Sequence, residues 1–185
     1  MILVNDLKPG QTFQHDKNIF VVIEASHNKT AMRQMIVKAK VKNLRSGVIN
    51  ELSFTGGDKL EPAMIEKKEM QYLYDDGEAC VFMDNSTYDQ IEIQKTKLEW
   101  ELNFIKENST VVISMYENEI LGIILPDKVT LQIVECEPAV KGDTATNATK
   151  NAKLETGLAI RVPLFINNDE MVIISTSDGK YSSRA

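Results

Sequence analysis

Apolar and polar residues alternate along much of this chain with a period of two. Lys38, Lys40 and Lys42 interleave with Val37, Ala39 and Val41, a pattern that predicts a strand with one wet face. β-rich runs recur at 20–23, 34–44, 71–74, 79–83, 110–115, 129–134, 157–162 and 171–175. Most are bounded by Gly, Asn, Asp or Pro. Lys8-Pro9-Gly10, Asp75-Asp76-Gly77 and Ser177-Asp178-Gly179 read as tight turns. One segment breaks the pattern. Thr96-Lys97-Leu98-Glu99 has the form of a capping box, and Leu98, Leu102 and Ile105 follow at helical spacing, so a helix is expected through Glu107. Many short strands at close spacing mean small barrels or sandwiches, and one short helix between them suits a five-stranded OB barrel. The expected fold is all-β.

Prolines at 62 and 126 punctuate the chain, which divides into modules at 1–63, 64–126 and 127–185. Modules of this size bury only ~60% of their unfolded surface and are marginal alone, so they are expected to pack on one another. Hydrophobic residues make up 43% and charged residues 26% of the 185, the balance of a globular protein. The net charge of −6 excludes a uniformly basic coat, but it is unevenly spread: +3, −8 and −1 over the three modules. No acidic residue falls between Glu24 and Glu51, a stretch holding Lys29, Arg33, Lys38, Lys40, Lys42 and Arg45. A lysine row on a strand is either an edge protected against aggregation or a phosphate-binding face. The missing carboxylates favour contact with a polyanion, because exposed faces usually mix signs.

Catalytic constellations are absent. His15 and His27 stand apart from any Ser or Cys nucleophile pattern, and there is no HExxH, CxxC or long glycine-rich phosphate loop. Asp75-Asp76 and Asp169-Glu170 sit in turn-like sequence, where solvation explains them. Cys80 and Cys136 read as reduced thiols of a cytoplasmic protein without signal peptide or membrane span. The chain is expected to be no enzyme and to need no metal or cofactor.

Several stretches resemble the bacterial elongation factor P family. They are Met70-Gln71-Tyr72-Leu73-Tyr74, Phe82-Met83-Asp84, Tyr88-Asp89-Gln90-Ile91, Lys141-Gly142-Asp143-Thr144-Ala145 and Glu155-Thr156-Gly157-Leu158. Val162-Pro163-Leu164-Phe165-Ile166, Thr176-Ser177-Asp178-Gly179, the Tyr181 to Arg184 tail, Asn5-Asp6-Leu7 and Asn43-Leu44-Arg45-Ser46-Gly47 extend the likeness to the whole chain. The resemblance implies an SH3-like (KOW-type) barrel followed by two OB barrels, in an L that mimics tRNA. It implies a monomeric factor that binds the 70S ribosome between the peptidyl-tRNA and exit sites. There it would speed peptide-bond formation at consecutive prolines by bracing the CCA end. Runners-up are a paralogue that binds ribosomes without relieving proline stalls, and a general single-stranded RNA binder.

The resemblance also places residues. Lys29, Thr30, Ala31, Met32, Arg33 and Gln34 would form the hairpin tip near the peptidyl-transferase centre. Lys38, Lys40, Lys42 and Arg45 would meet tRNA or rRNA phosphates, as would Tyr181 and Arg184. Gly142, Asp143, Thr144, Thr146, Asn147 and Lys150 would form a loop toward the exit-site mRNA codon. At the tip the chain departs from the family. Family tips commonly read Pro-Gly-Lys-Gly, with the basic residue chemically extended, whereas here Met32 occupies that place between Ala31 and Arg33. A thioether takes none of those groups. The factor then works unmodified, carries its modification on Arg33 or Lys29, or is a weakened paralogue.

Overall fold

A computed structural model describes residues 1–28, 34–139 and 148–185. The fold is all-β, as expected, with sixteen strands among the described residues. They form sheets of six, five and five strands.

The first sheet takes β1 (Ile2–Leu3), β2 (Thr12–His15), β3 (Asn18–Asn28), β4 (Ile36–Asn43), β5 (Ile49–Thr55) and β6 (Lys59–Pro62) in the order β1-β6-β2-β3-β4-β5. All described neighbour pairs in it are antiparallel. Its core gathers Val4, Phe13, Phe20, Val22, Val37, Ala39, Val41 and Leu60. Phe13 meets Phe20 at 5.8 Å and the edge of Phe54 at 6.1 Å between ring centres, distances at which aromatic pairs attract beyond simple burial.

The second sheet uses β7 (Glu66–Asp75), β8 (Ala79–Asp84), β9 (Gln90–Gln94), β10 (Thr110–Tyr116) and β11 (Glu119–Ile124), ordered β11-β10-β7-β8-β9. The third uses β12 (Lys128–Cys136), β13 (Thr149–Leu154), β14 (Ala159–Pro163), β15 (Met171–Ser175) and β16 (Tyr181–Arg184), ordered β14-β13-β12-β15-β16. By packing, the chain separates into a unit of Met1–Lys68 with Ile113–Gly122 and a unit of Glu69–Val112 with Ile123–Ala185.

The expected turns form. Gly10, Gly77 and Gly179 have φ of +87°, +102° and +70°, values that carry little cost only without a Cβ. The expected α-helix does not. Residues 95–107 make two single 3-10 turns, Lys95–Lys97 and Glu101–Asn103, and no side-chain cap forms at either. The cause is a division of the apolar residues. Phe104 belongs to the core of the third sheet with Leu131, Ile133, Leu154 and Val172, whereas Leu98 is wholly buried outside that cluster. The residue that the third-sheet core takes up is thus Phe104, not Leu98, Leu102 or Ile105 of the expected stripe.

Candidate functional site

β3 and β4 make a long hairpin whose two faces differ because β4 alternates strictly. Its burial runs exposed-buried through all eight residues, with Val37, Ala39 and Val41 fully buried and Lys38, Lys40 and Lys42 in water. Beyond Val22 the register shifts by one residue, and from Ile23 onward β3 is mostly exposed, with Ala25 still half-buried against the core. At its end His27 Nε2 lies 2.9 Å from the carbonyl oxygen of Asn5. A carbonyl only accepts, so this ring nitrogen carries the proton. The contact joins residues 22 apart and holds the last described residues of β3 to the first strand region. In the sequence His27 only stands apart from any nucleophile pattern, and nothing local to it signals this role.

The lysine face is less one-sided than the chain order implied. Pairing sets Lys40 between Glu24 on β3 and Glu51 on β5, the acidic residues that bracket the acid-free stretch. Lys38 Nζ also lies 3.6 Å from Glu51 Oε1. The expectation of a carboxylate-free face is therefore corrected: three lysines share it with two glutamates. Both partners of the Lys38 pair are about half exposed, where such pairs are weak and open to competition by phosphate.

Arg45 is differently placed. Its Nε and Nη2 donate to both carboxylate oxygens of Glu119, at 2.9 and 2.7 Å, and Nη1 donates to the Lys17 carbonyl. The hydrogen bond with Glu119 raises the guanidinium further above its ordinary value. Its backbone is held by Asn43, whose Oδ1 accepts the amides of Arg45 and Ser46. Gln34, the one described residue of the expected tip, is exposed; Lys29, Thr30, Ala31, Met32 and Arg33 lie outside the described residues.

At the C-terminus, Arg184 Nη2 is 2.9 Å from Glu170 Oε2, and its guanidinium carbon sits 5.6 Å from the centre of the Phe165 ring. Phe165, which belongs to the 162–166 stretch of the family resemblance but carries no assigned role there, is 58% exposed. Tyr181 lines a hollow with Thr149, Asn151, Arg161 and Lys180. Lys150 is corrected: it stands in β13 on the inward face with Ala152 and Leu154 and is 6% exposed, not part of a wet loop. Gly142, Asp143, Thr144, Thr146 and Asn147 lie outside the described residues.

The carboxylate pair at Asp75-Asp76 is a turn device. Asp75 accepts the Gly77 amide at 2.7 Å and pairs with Lys95 Nζ at 2.5 Å; Asp76 accepts the amides of Glu78 and Ala79. These bonds hold both carboxyls below their ordinary value, the wrong direction for a general acid. Burial pushes the Cys80 thiol up, away from a reactive thiolate. Among the described residues, no His, Cys, Asp and Glu group is arranged to hold a metal. None of their helices is long and apolar enough to cross a membrane.

Comparison with known proteins accounts for this arrangement. Residues 3–60 match the family described as the elongation factor P KOW-like domain, 65–123 the elongation factor P OB domain, and 129–184 the elongation factor P C-terminal domain. The protein named elongation factor P in Mesoplasma florum is 56% identical over 182 residues, covering 98% of each chain. Its namesake in Mycoplasma mycoides is 53% identical over 98% of this chain and 99% of its own. Among solved structures, translation initiation factor 5A of Methanococcus jannaschii superposes with a TM-score of 0.54 at 20% identity, over 66% of this chain and 92% of its own; this likeness concerns the fold alone. The chain carries all three of the family's domains in order and belongs to the elongation factor P family.

Proposed function

We propose that the protein, a translation elongation factor, binds the 70S ribosome between the peptidyl-tRNA and exit sites and accelerates peptide-bond formation at consecutive prolines. The observation that carries this is the β3–β4 hairpin: it bears a lysine row along its wet face, opposite the buried Val37, Ala39 and Val41, in a chain of this family. Proline is a constrained nucleophile whose ring holds φ near −65°, which limits how it meets the peptidyl ester. A protein finger against the CCA end contributes orientation, and orientation lowers the barrier without any catalytic group of its own. The ribosome supplies the reaction centre.

In this reading Lys38, Lys40 and Lys42 meet RNA phosphates, a contact that positions without reading sequence. The 29–34 tip approaches the CCA end and the 142–147 loop the exit-site codon. Tyr181, through its ring and hydroxyl, contacts tRNA or small-subunit RNA, with Arg184 beside it. The protein acts as a cytoplasmic monomer without a cofactor. Met32 in place of a modifiable base leads to a factor that works bare, its flexible thioether filling the space a modified side chain takes in relatives.

Synthesis of a triproline peptide on reconstituted ribosomes tests this, with protein made in a host lacking the modifying enzymes. We expect at least about a tenfold rise in rate, equivalent to ~1.4 kcal/mol of barrier, and no rise for a proline-free peptide. Ribosome binding without a rise would establish the paralogue instead.

A further inference from the structure

We propose that Arg45, paired with Glu119, is a positioning residue that grips the base of the β3–β4 hairpin and thereby sets where its tip lies. This rests on the reading of the tip as the working end. Arg45 is tied to both roots of the hairpin: its guanidinium donates to the carbonyl of Lys17, which immediately precedes β3, and its backbone amide donates to Asn43, which ends β4. The third anchor, Glu119, begins β11 just after the turn at Glu117 and Asn118, whose φ values are +46° and +72°. A second tie lies at the same end, where Tyr116 Oη is 3.5 Å from Gln14 Oε1.

The fork of Arg45 meets the two oxygens of a carboxylate, a geometry that fixes direction as well as distance and that a lysine ammonium does not reproduce. Three of its N–H-bearing nitrogens are already engaged, which argues against Arg45 as one more phosphate contact. Arg45 and Glu119 side chains are 35% and 44% exposed, a setting in which an ion pair adds little to stability. Its value is in aim. β3 runs eleven residues from this base to Asn28, and its far end carries a separate tie from His27 to Asn5, so Arg45 sets the direction in which the hairpin leaves its base. An oriented reaction is sensitive to displacements of ~1 Å, which cost it about a hundredfold.

Two measurements test the clamp. In triproline synthesis, Arg45→Lys and Glu119→Gln should each lower the rate at saturating factor by about tenfold while moving the half-saturating concentration less than about twofold. The exchange Arg45→Glu with Glu119→Arg restores the ion pair but not the donor to the Lys17 carbonyl, and should recover only part of the rate. A phosphate-contact role predicts the opposite: a raised half-saturating concentration for Arg45 variants, an indifferent Glu119→Gln and no rescue by exchange. The second measurement needs no activity. Spin labels at Gln34→Cys and Glu117→Cys, in a Cys136→Ser background, report the tip-to-turn distance in the free protein. The distribution should broaden in Arg45→Lys and Glu119→Gln and narrow in part in the exchange variant. An unchanged distribution overturns the clamp even where the wild-type protein fails to accelerate proline synthesis, a failure that would fall on the proposed function instead.

Discussion

At the scale of single residues, charge placement decides what each group does. Asp75 is held below its ordinary 3.8 first by the hydrogen bond from Lys95 and then by the Gly77 amide, and Asp76 by the amides of Ala79 and Glu78. A carboxyl lowered on folding stabilises the fold above its unfolded value and loses that contribution as pH falls through its folded value. Lys95, raised by the same pair, behaves oppositely and loses its contribution only in strong alkali, as pH rises through its folded value. The thermal midpoint should therefore hold through neutral pH and fall below about pH 4. A double variant, Asp75→Asn with Asp76→Asn, should begin lower at pH 6 and fall less steeply in acid. Parallel acid limbs in a midpoint-against-pH series would show that other carboxyls carry the effect. The turn itself was legible in Asp-Asp-Gly, a local signal. The neighbours of Lys40 were not, because Glu24 and Glu51 reach it only through strand pairing across the sheet.

At the scale of elements, the segment from Lys95 to Asn108 shows how a valid local signal loses to packing. Its capping box and apolar spacing predict a helix, yet Phe104 is drawn into the third-sheet core, where Trp100 meets its ring edge at 5.2 Å. Trp100 Nε1 donates to the Thr176 carbonyl, and Thr156 Oγ1 donates to that of Asn103. These contacts fix the backbone turn by turn. Phe104→Ala should cost about 3–5 kcal/mol, read from denaturant unfolding followed by Trp100 fluorescence. A loss near 1 kcal/mol would mean that the third-sheet core closes without it. Two strands outside the apolar runs, β5 and β13, are hidden for different reasons. β5 buries only Phe54, and as an edge strand it has too little alternation to announce itself. β13 hides its pattern because Lys150 occupies an inward position.

At the scale of the whole molecule, the charge layout separates a ribosome-bound factor from a general RNA binder. Residues 64–126 carry a net −8 and residues 1–63 a net +3, so the attractive surface for a polyanion is small. Binding to free single-stranded oligonucleotides should be weak. Binding to 70S ribosomes should be tight, and Lys40→Ala with Lys42→Ala should reduce its log–log salt slope by about one to two, as two lost phosphate contacts require. Tight oligonucleotide binding with an unchanged slope would point to the general binder. The sequence by itself determined the all-β class, the lysine-bearing hairpin strand and membership of the family, because two-residue alternation and short motifs are local signals. Only the tertiary structure decided that Arg45 grips Glu119, that Lys40 sits between two glutamates, that Lys150 points inward and that residues 95–107 form no helix. Each depends on partners far apart in the chain, which pairing and core packing bring together and no local pattern encodes.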